Sequence, residues 1–193
     1  LILKTLAGLW PWKKSVPKYG TEKCRVQKNR VIGFQKEKML KALTLYGIDD
    51  FFFSKDKGNA FWLNKLKEEK IDSPIVVITS DNLMDIDLNT LIKEYYEKEE
   101  KSLIISTDSK EGTHDKLEIN EKNEVLSMNY QKTVGKIASG LQVLNPKDLY
   151  SDKISFNDFH EVWSLLIDKK RLIVSELQPK TWISVDTVDE LNK

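Results

Sequence analysis

Pro74-Ile75-Val76-Val77-Ile78-Thr79-Ser80-Asp81-Asn82-Leu83, continued by Met84-Asp85-Ile86-Asp87, is the stretch that decides the fold. Ile75 to Ile78 are apolar and β-branched without interruption, and the run halts at Thr-Ser-Asp-Asn. A short, continuous apolar run of this kind reads as a strand buried on both faces, the mark of a central parallel strand. Open α/β sheets hold their ligands beyond the C-terminal ends of such strands. There the sequence places a carboxylate, Asp81, followed by an amide, Asn82. A hard oxygen at that position suits a divalent cation carrying nucleotide phosphates. An aspartate that only makes a turn or caps a helix has the same spacing, so at this point both readings stand.

Working outward, the composition narrows the function classes. The chain has 193 residues, enough for one domain with a sizeable core, and the expectation is a single domain over 1–193. Lys+Arg 31 against Asp+Glu 30 nearly cancel, which implies no basic face for nucleic acid. Cys24 has no second cysteine to pair with, which excludes an internal disulfide and fits a reducing cytoplasm. With that one cysteine and only His114 and His160, a Cys/His zinc site is not expected. No apolar run approaches the ~20 residues of a membrane span, and Leu1-Ile2-Leu3-Lys4 is too short for a signal-peptide core. These features together predict a soluble, cytoplasmic α/β protein.

Leu1 to Leu6 is apolar enough for a first strand, ending at Ala7-Gly8. Glycine after a strand lets backbone N–H groups approach phosphate, and Lys13, Lys14 and Lys18 follow closely. Gln35 to Tyr46 has helical spacing and stops at Gly47, and Ile48 to Phe53 reads as the next strand. Gly58-Asn59-Ala60 opens a helix whose Phe61, Trp62, Leu63 and Leu66 form a buried face. Asp85 and Asp87 lead into an amphipathic helix over Leu88 to Tyr96. Ser102 to Thr107 is a strand, and Lys116–Asn120 with Glu124–Met128 alternate around a turn as a hairpin. Ser139 to Leu144 is a strand halted by Asn145-Pro146, and Phe156 to Asp168 is a helix. Arg171–Leu177 and Thr181–Val185 are short strands, and a last helix starts at Asp186. His114 and His160 read as surface or packing residues. The alternation predicts an α/β fold: a Rossmann-like mixed, mostly parallel sheet flanked by helices.

Taken in order, these pieces resemble the nucleotidyltransferases that join a nucleoside triphosphate to a sugar 1-phosphate, or in close relatives to phosphocholine. The resemblance covers nearly the whole chain. The family's opening L-A-(A/G)-G-x-G-x-R-(L/M)-x-P, then P-K, is similar to Leu6-Ala7-Gly8, Leu9-Trp10-Pro11 and Pro17-Lys18. Its base-binding G-(T/N)-A resembles Gly58-Asn59-Ala60, and its metal-binding G-D-(N/x)-(L/I) resembles Ser80-Asp81-Asn82-Leu83. Its E-K-P after a hairpin resembles Gln131-Lys132-Thr133. Its sugar-cradling strand is similar to Ala138-Ser139-Gly140-Leu141-Gln142-Val143, and its closing motif to Trp182 through Leu191.

The resemblance implies a nucleotidyltransferase (GT-A-like) fold and an Mg²⁺-dependent enzyme that releases pyrophosphate and makes a nucleotide sugar. It implies that Asp81 and Asp186 hold the metal and that Lys18 contacts the triphosphate, these three carrying catalysis. Ala7, Gly8, Lys18, Gly58, Asn59 and Ala60 would line the nucleotide, and Lys132, Ser139 and Gly140 the acceptor. Three departures are visible. Gly8 runs straight into Leu9-Trp10-Pro11, without the second glycine and the arginine. Only Ser54 to Lys57 separate Phe53 from Gly58, where the family has a helix and a strand. The sugar 1-phosphate branch usually carries its second metal carboxylate at the position of Ser184, and the phosphocholine-type branch at that of Asp186. Either segments of chain are missing at the joins Gly8–Leu9 and Ser54–Lys55, or the protein is a non-catalytic relative, a sensor or subunit. A glycosyltransferase of GT-A type is the remaining alternative, with Asp85-Ile86-Asp87 as its Asp-x-Asp.

Overall fold

The computed structural model describes residues 8–11, 29–32, 51–53, 57–79, 81–109, 113–132, 134–150 and 155–185. The strands expected over Leu1–Leu6 and at Ile48–Asp50, the helix over Gln35–Tyr46 and the last helix from Asp186 lie outside these residues. The elements are β1 (Gly8–Pro11), β2 (Asn29–Ile32), β3 (Phe51–Phe53), α1 (Leu63–Glu68), β4 (Ile75–Ile78) and β5 (Asn82–Asp85). After them come α2 (Leu88–Glu97), β6 (Ser102–Ser109), β7 (Thr113–Ile119), β8 (Val125–Lys132) and β9 (Gly135–Leu144). The chain then forms α3 (Pro146–Leu149), α4 (Phe159–Asp168), β10 (Leu172–Val174) and β11 (Thr181–Ser184).

The main sheet runs β10-β6-β9-β4-β1-β2-β3, with the β7–β8 hairpin attached through β9, while β5 and β11 form a separate ribbon. The mixed α/β architecture is the one expected, but its strand directions differ from the expectation. Among the described residues only β10–β6 and β2–β3 are parallel. The run Ile75–Ile78 is central, yet it lies antiparallel to both neighbours, β9 and β1. An unbroken apolar run reports burial on two faces; direction is set by the connections, which the run does not encode.

The two-faced burial is explicit in the packing. Ile75 and Val77 join a core that includes Trp62, Leu66, Phe159, Val162 and Leu166 of the α1 and α4 side. Val76, between them, joins Leu91, Ile92 and Tyr95 of α2 on the other face. β6 and β10 alternate likewise, with Leu103, Ile105 and Ile173 toward α2, and Ile104, Leu172 and Val174 toward α4. Each such side chain contributes about 1.5–3 kcal/mol on burial, so a charge at Val77 would break both the core and the strand.

Helix starts follow local chemistry. Asp87 caps α2, its carboxylate accepting from the Asn89 N–H at 2.9 Å and the Thr90 hydroxyl at 2.7 Å. Asp158 caps α4 through the Glu161 N–H at 3.1 Å, and Glu161 reaches back to the Asn157 N–H at 2.7 Å. Asn145-Pro146, which halts β9, is also the cap and first residue of α3, where a missing N–H costs nothing. The Asn120 side chain closes the hairpin turn by accepting from the Lys122 and Glu124 N–H groups.

The segment after the first expected strand is a strand itself. Gly8 pairs with Arg30, while Trp10 and Pro11 pair with Val76 and Ile75. Gly8 and Leu9 are therefore consecutive residues of β1 rather than a phosphate-facing loop; Leu9-Trp10 favours an extended chain, and there is no second glycine to turn it. The join Ser54–Lys55 lies outside the described residues. No helix among the described residues is long and apolar enough to cross a membrane.

Candidate active site at the end of the central strand

Beyond Ile78 the Thr79 N–H still donates to the Gly140 carbonyl at 3.0 Å, which extends the β4–β9 ladder. The chain then turns at Asp81 into β5, and β5 pairs antiparallel with β11, Asn82 opposite Ser184 and Met84 opposite Trp182. The Val185 N–H donates to the Asp81 carbonyl at 2.8 Å. This ribbon is pinned to the main sheet by the Trp182 indole N–H, which donates to the Ser139 carbonyl at 2.9 Å.

Gly140 is required where it stands. Its φ is +86°, and a Cβ there would lie 2.2 Å from Thr79 Oγ1 and 2.6 Å from Asn82 Nδ2. The space a side chain would fill is occupied by a polar knot. Asn82 Nδ2 donates to Thr79 Oγ1 at 2.5 Å and to Asp81 Oδ1 at 2.9 Å. Asn82 Oδ1 is buried and has no partner among the described residues. The knot fixes the Asp81 carboxylate at the strand end.

A cavity of about 290 Å³ opens above it. Thr79, Asp81 and Asn82, with Gly140, are among its lining residues. Tyr130, Phe159, Trp163 and Trp182 contribute its aromatic wall, with His114 and Asp115 of the hairpin beside them. The Trp163 N–H donates to Gln142 Oε1 at 2.9 Å, and His114 meets Trp182 edge-on at 6.2 Å between centroids. His160 stands edge-on to Trp163 at 5.1 Å and brings Nε2 to 3.4 Å from Asp115 Oδ1, without hydrogen-bond geometry. Burial pushes the Asp115 carboxyl above the ordinary aspartate range, opposed by the neighbouring His160 and His114.

The structure brings Asn59, Asp81 and Gly140 together around this cavity. The neighbours of Asn59 have structural duties: Ala60 is fully buried in the core, and a Cβ on Gly58 would collide with the Asn157 carbonyl at 1.9 Å. Asn59 itself accepts from the Phe159 N–H at 3.2 Å. Ser139 lies behind the wall, fully buried, its hydroxyl without a partner among the described residues. Lys132 ends β8 opposite Thr113. Ala7, Lys18 and Asp186 lie outside the described residues, although Val185, which precedes Asp186 in sequence, is the residue tied to Asp81. His114 packs edge-on against Trp182, as a packing or surface residue would, and also lines the cavity. Trp163, Trp182, Asp115 and Gln142 are cavity residues that sequence reasoning missed. Trp163 has the helical core spacing of Phe156–Asp168, and Asp115 lies just before the alternation at Lys116 that marks the hairpin.

Asp85-Ile86-Asp87 is not arranged as a metal-binding Asp-x-Asp. Both Asp87 oxygens are engaged in capping α2, and Asp85 is an exposed ribbon residue paired with Thr181. For Mg²⁺ the donor chemistry at the strand end fits: Asp81 offers a hard carboxylate on the cavity, and Mg²⁺ needs only one or two carboxylates beside phosphate oxygens. No group of three or more His, Cys, Asp or Glu among the described residues could hold a metal alone.

No family model and no curated protein matches the sequence. Solved structures match the fold. HddC from Yersinia pseudotuberculosis superposes with a TM-score of 0.65 at 14% identity over 85% of this chain and 75% of its own. That protein has also been solved with GMP-PN. The fold is nucleotidyltransferase-like. A Bacillus anthracis protein described as a glucose-1-phosphate thymidylyltransferase gives 0.66 at 13% identity over 85% of this chain and 72% of its own. CTP:phosphocholine cytidylyltransferase (LicC) from Streptococcus pneumoniae gives 0.58 at 20%, over 85% of this chain and 75% of its own. In this nucleotidyltransferase-like fold, the end of the central strand β4 carries Asp81 and the cavity.

Proposed function

We propose that this protein is an Mg²⁺-dependent nucleotidyltransferase, moving a nucleoside monophosphate from a triphosphate to a small phosphate monoester. A sugar 1-phosphate would give a nucleotide sugar; a phosphocholine-like acceptor is the other candidate. The observation that carries the reading is the Asp81–Asn82–Thr79–Gly140 knot, which holds a carboxylate at the strand end over a cavity of about 290 Å³. An acceptor phosphate oxygen attacks the α-phosphorus, the bond from the α-phosphorus to the bridging oxygen breaks, and pyrophosphate leaves. The nucleophile is already a phosphate dianion, so no activated serine, cysteine or histidine is needed.

In this reading Asp81 and Asp186 hold Mg²⁺, which when bound supplies charge neutralisation at the phosphates. Lys18 contacts the triphosphate and Lys132 the acceptor phosphate. Asn59, which lines the cavity, belongs to the nucleotide side in this reading, with Gly58 and Ala60 fixing its backbone and with Ala7 and Gly8, the latter opening β1. Gly140 and Ser139 belong to the acceptor side: Gly140 leaves room for the knot that holds Asp81 there, and Ser139 supports the wall through its carbonyl.

A second reading has its own observation. Gly8 and Leu9 lie within one paired strand, so the glycine loop that would wrap the phosphates is absent at that join. A non-catalytic relative would bind nucleotide or sugar phosphate without turnover. The test is to incubate the protein with each nucleoside triphosphate, Mg²⁺ and a panel of sugar 1-phosphates and phosphocholine, and to measure pyrophosphate. Release that depends on the acceptor supports the enzyme; binding without release supports the sensor.

A further inference from the structure

We propose that His114 is a proton-dependent contact for the acceptor, its imidazolium reaching the cavity from β7 to hold the acceptor's phosphate. That a phosphate monoester enters this cavity rests on the nucleotidyl-transfer reading above.

The charge balance of the cavity singles this residue out. Its lining among the described residues includes two carboxylates, Asp81 and Asp115, and no lysine or arginine. Within that lining His114 is the one side chain that can become a cation. A phosphate dianion beside two carboxylates is repelled, and a divalent cation at Asp81 would offset this only at the strand end. An imidazolium on the hairpin would supply the second positive group, through a charge-assisted hydrogen bond to a phosphate oxygen.

The ring is placed for that role. It is half-buried and stands edge-on to Trp182 at 6.2 Å between centroids, and Trp182 is itself tied to the Ser139 carbonyl at 2.9 Å. Packing against an anchored indole thus positions the imidazole, while neither of its nitrogens has a hydrogen-bond partner among the described residues. His160 is arranged differently: its Nε2 lies 3.4 Å from Asp115 Oδ1, and it does not line this cavity.

The groups that bear on the His114 proton come from several elements. Asp81, Asp115 and Tyr130 share the cavity with it, His160 of α4 stands across Asp115, and Lys132 of β8 occupies the adjacent rung opposite Thr113. β11 brings only the neutral Trp182 and Ser184 to the cavity. A bound anion strengthens the hold of an imidazole on its proton. The added affinity is therefore complete below the titration of the free site and is lost as pH rises through that of the complex.

The chain has only two histidines, so NMR follows each imidazole in the intact protein, and His160→Gln assigns the signals. Mg²⁺ and a non-hydrolysable nucleotide analogue are present throughout, and both rings are titrated with and without saturating glucose 1-phosphate or phosphocholine. At least one of these esters should move the His114 titration up by about one pH unit, equivalent to about tenfold tighter binding by the protonated form, and leave His160 in place. His114→Gln should weaken that ester about tenfold at about pH 5.5 and less than about twofold at about pH 8.5, on either side of the ordinary histidine range. The ester's own second ionisation, near about pH 6, is common to both proteins and cancels in the ratio. The wild-type titration stands even if the variant does not fold. An unmoved His114, an equal shift of both histidines, or no binding of either ester would overturn the proposal. Acceptor-dependent pyrophosphate release with His114 unmoved would remove the contact and keep the transfer reading. A shifted His114 with no pyrophosphate from any triphosphate would sink the transfer reading and leave the anion contact in place.

Discussion

At the scale of single residues, the site depends on Gly140 and Asp115. Gly140 combines a positive φ with a position where any Cβ meets Thr79 and Asn82, whereas Gly135, at φ +113°, has nothing within 4 Å of its virtual Cβ. Gly135→Ala should therefore cost only backbone strain, about 1–2 kcal/mol. Gly140→Ala adds the collision and should lower stability further while loosening the knot that orients Asp81. Urea denaturation of both variants reads the difference, and equal midpoints would show that the knot yields without cost. Asp115 gives a pH signature. A carboxyl whose pKa rises on folding holds its proton more tightly in the native state. The native state is thus favoured below the raised pKa and loses that advantage as pH climbs through it. Asp115→Asn removes the loss, so its stability relative to the wild type should be higher at pH 7 than at about pH 3, below the ordinary aspartate range. A difference that does not change between the two pH values would mean that Asp115 is not strained by burial.

At the scale of elements, what the sequence reveals is burial, and what it conceals is partnership. Ile75 to Ile78 announced a strand covered on both faces, and Val76 and Val77 do face opposite cores. The antiparallel pairing on both sides of that strand was not legible, because strand direction depends on connections. The hairpin was legible through its alternation and the Asn120 turn, though it extends farther at both open ends than the pattern suggested. The β5–β11 ribbon was missed for a specific reason. Asn82–Asp85 reads locally as a turn leading to a helix cap, and its partner is a distant segment at the end of the chain. With the ribbon went the placement of Trp182, and with the hairpin's docking on β9 went that of His114 and Asp115. Trp182 is the ribbon's anchor, so Trp182→Phe, which keeps a ring and deletes the N–H, should cost about 0.5–1.5 kcal/mol by leaving the Ser139 carbonyl without its donor. Thermal denaturation would measure it, and an unchanged midpoint would assign the anchoring to packing alone.

At the scale of the whole molecule, a sheet covered on both faces leaves its central strand end as the place where polar groups converge. The strand-end knot, the aromatic cavity and the ribbon that leads toward Asp186 all meet there, in a fold shared with sugar-phosphate and phosphocholine nucleotidyltransferases. With 31 basic and 30 acidic residues nearly in balance, the phosphate recognition proposed above would rest on local lysines rather than on the field of the whole surface. If the end of β4 is a catalytic centre, the Asp81 charge is essential there, while the amide of asparagine preserves the shape and the hydrogen-bonded knot. The decisive measurement is acceptor-dependent pyrophosphate release by the wild type and by Asp81→Asn, with the fold of each verified by circular dichroism. The account predicts release by the wild type with at least one pairing of triphosphate and phosphate monoester, and a fall of at least about 100-fold in the folded variant, the loss of a group acting at developing charge. Equal turnover by the two proteins, or none from the wild type with any pairing, would contradict it.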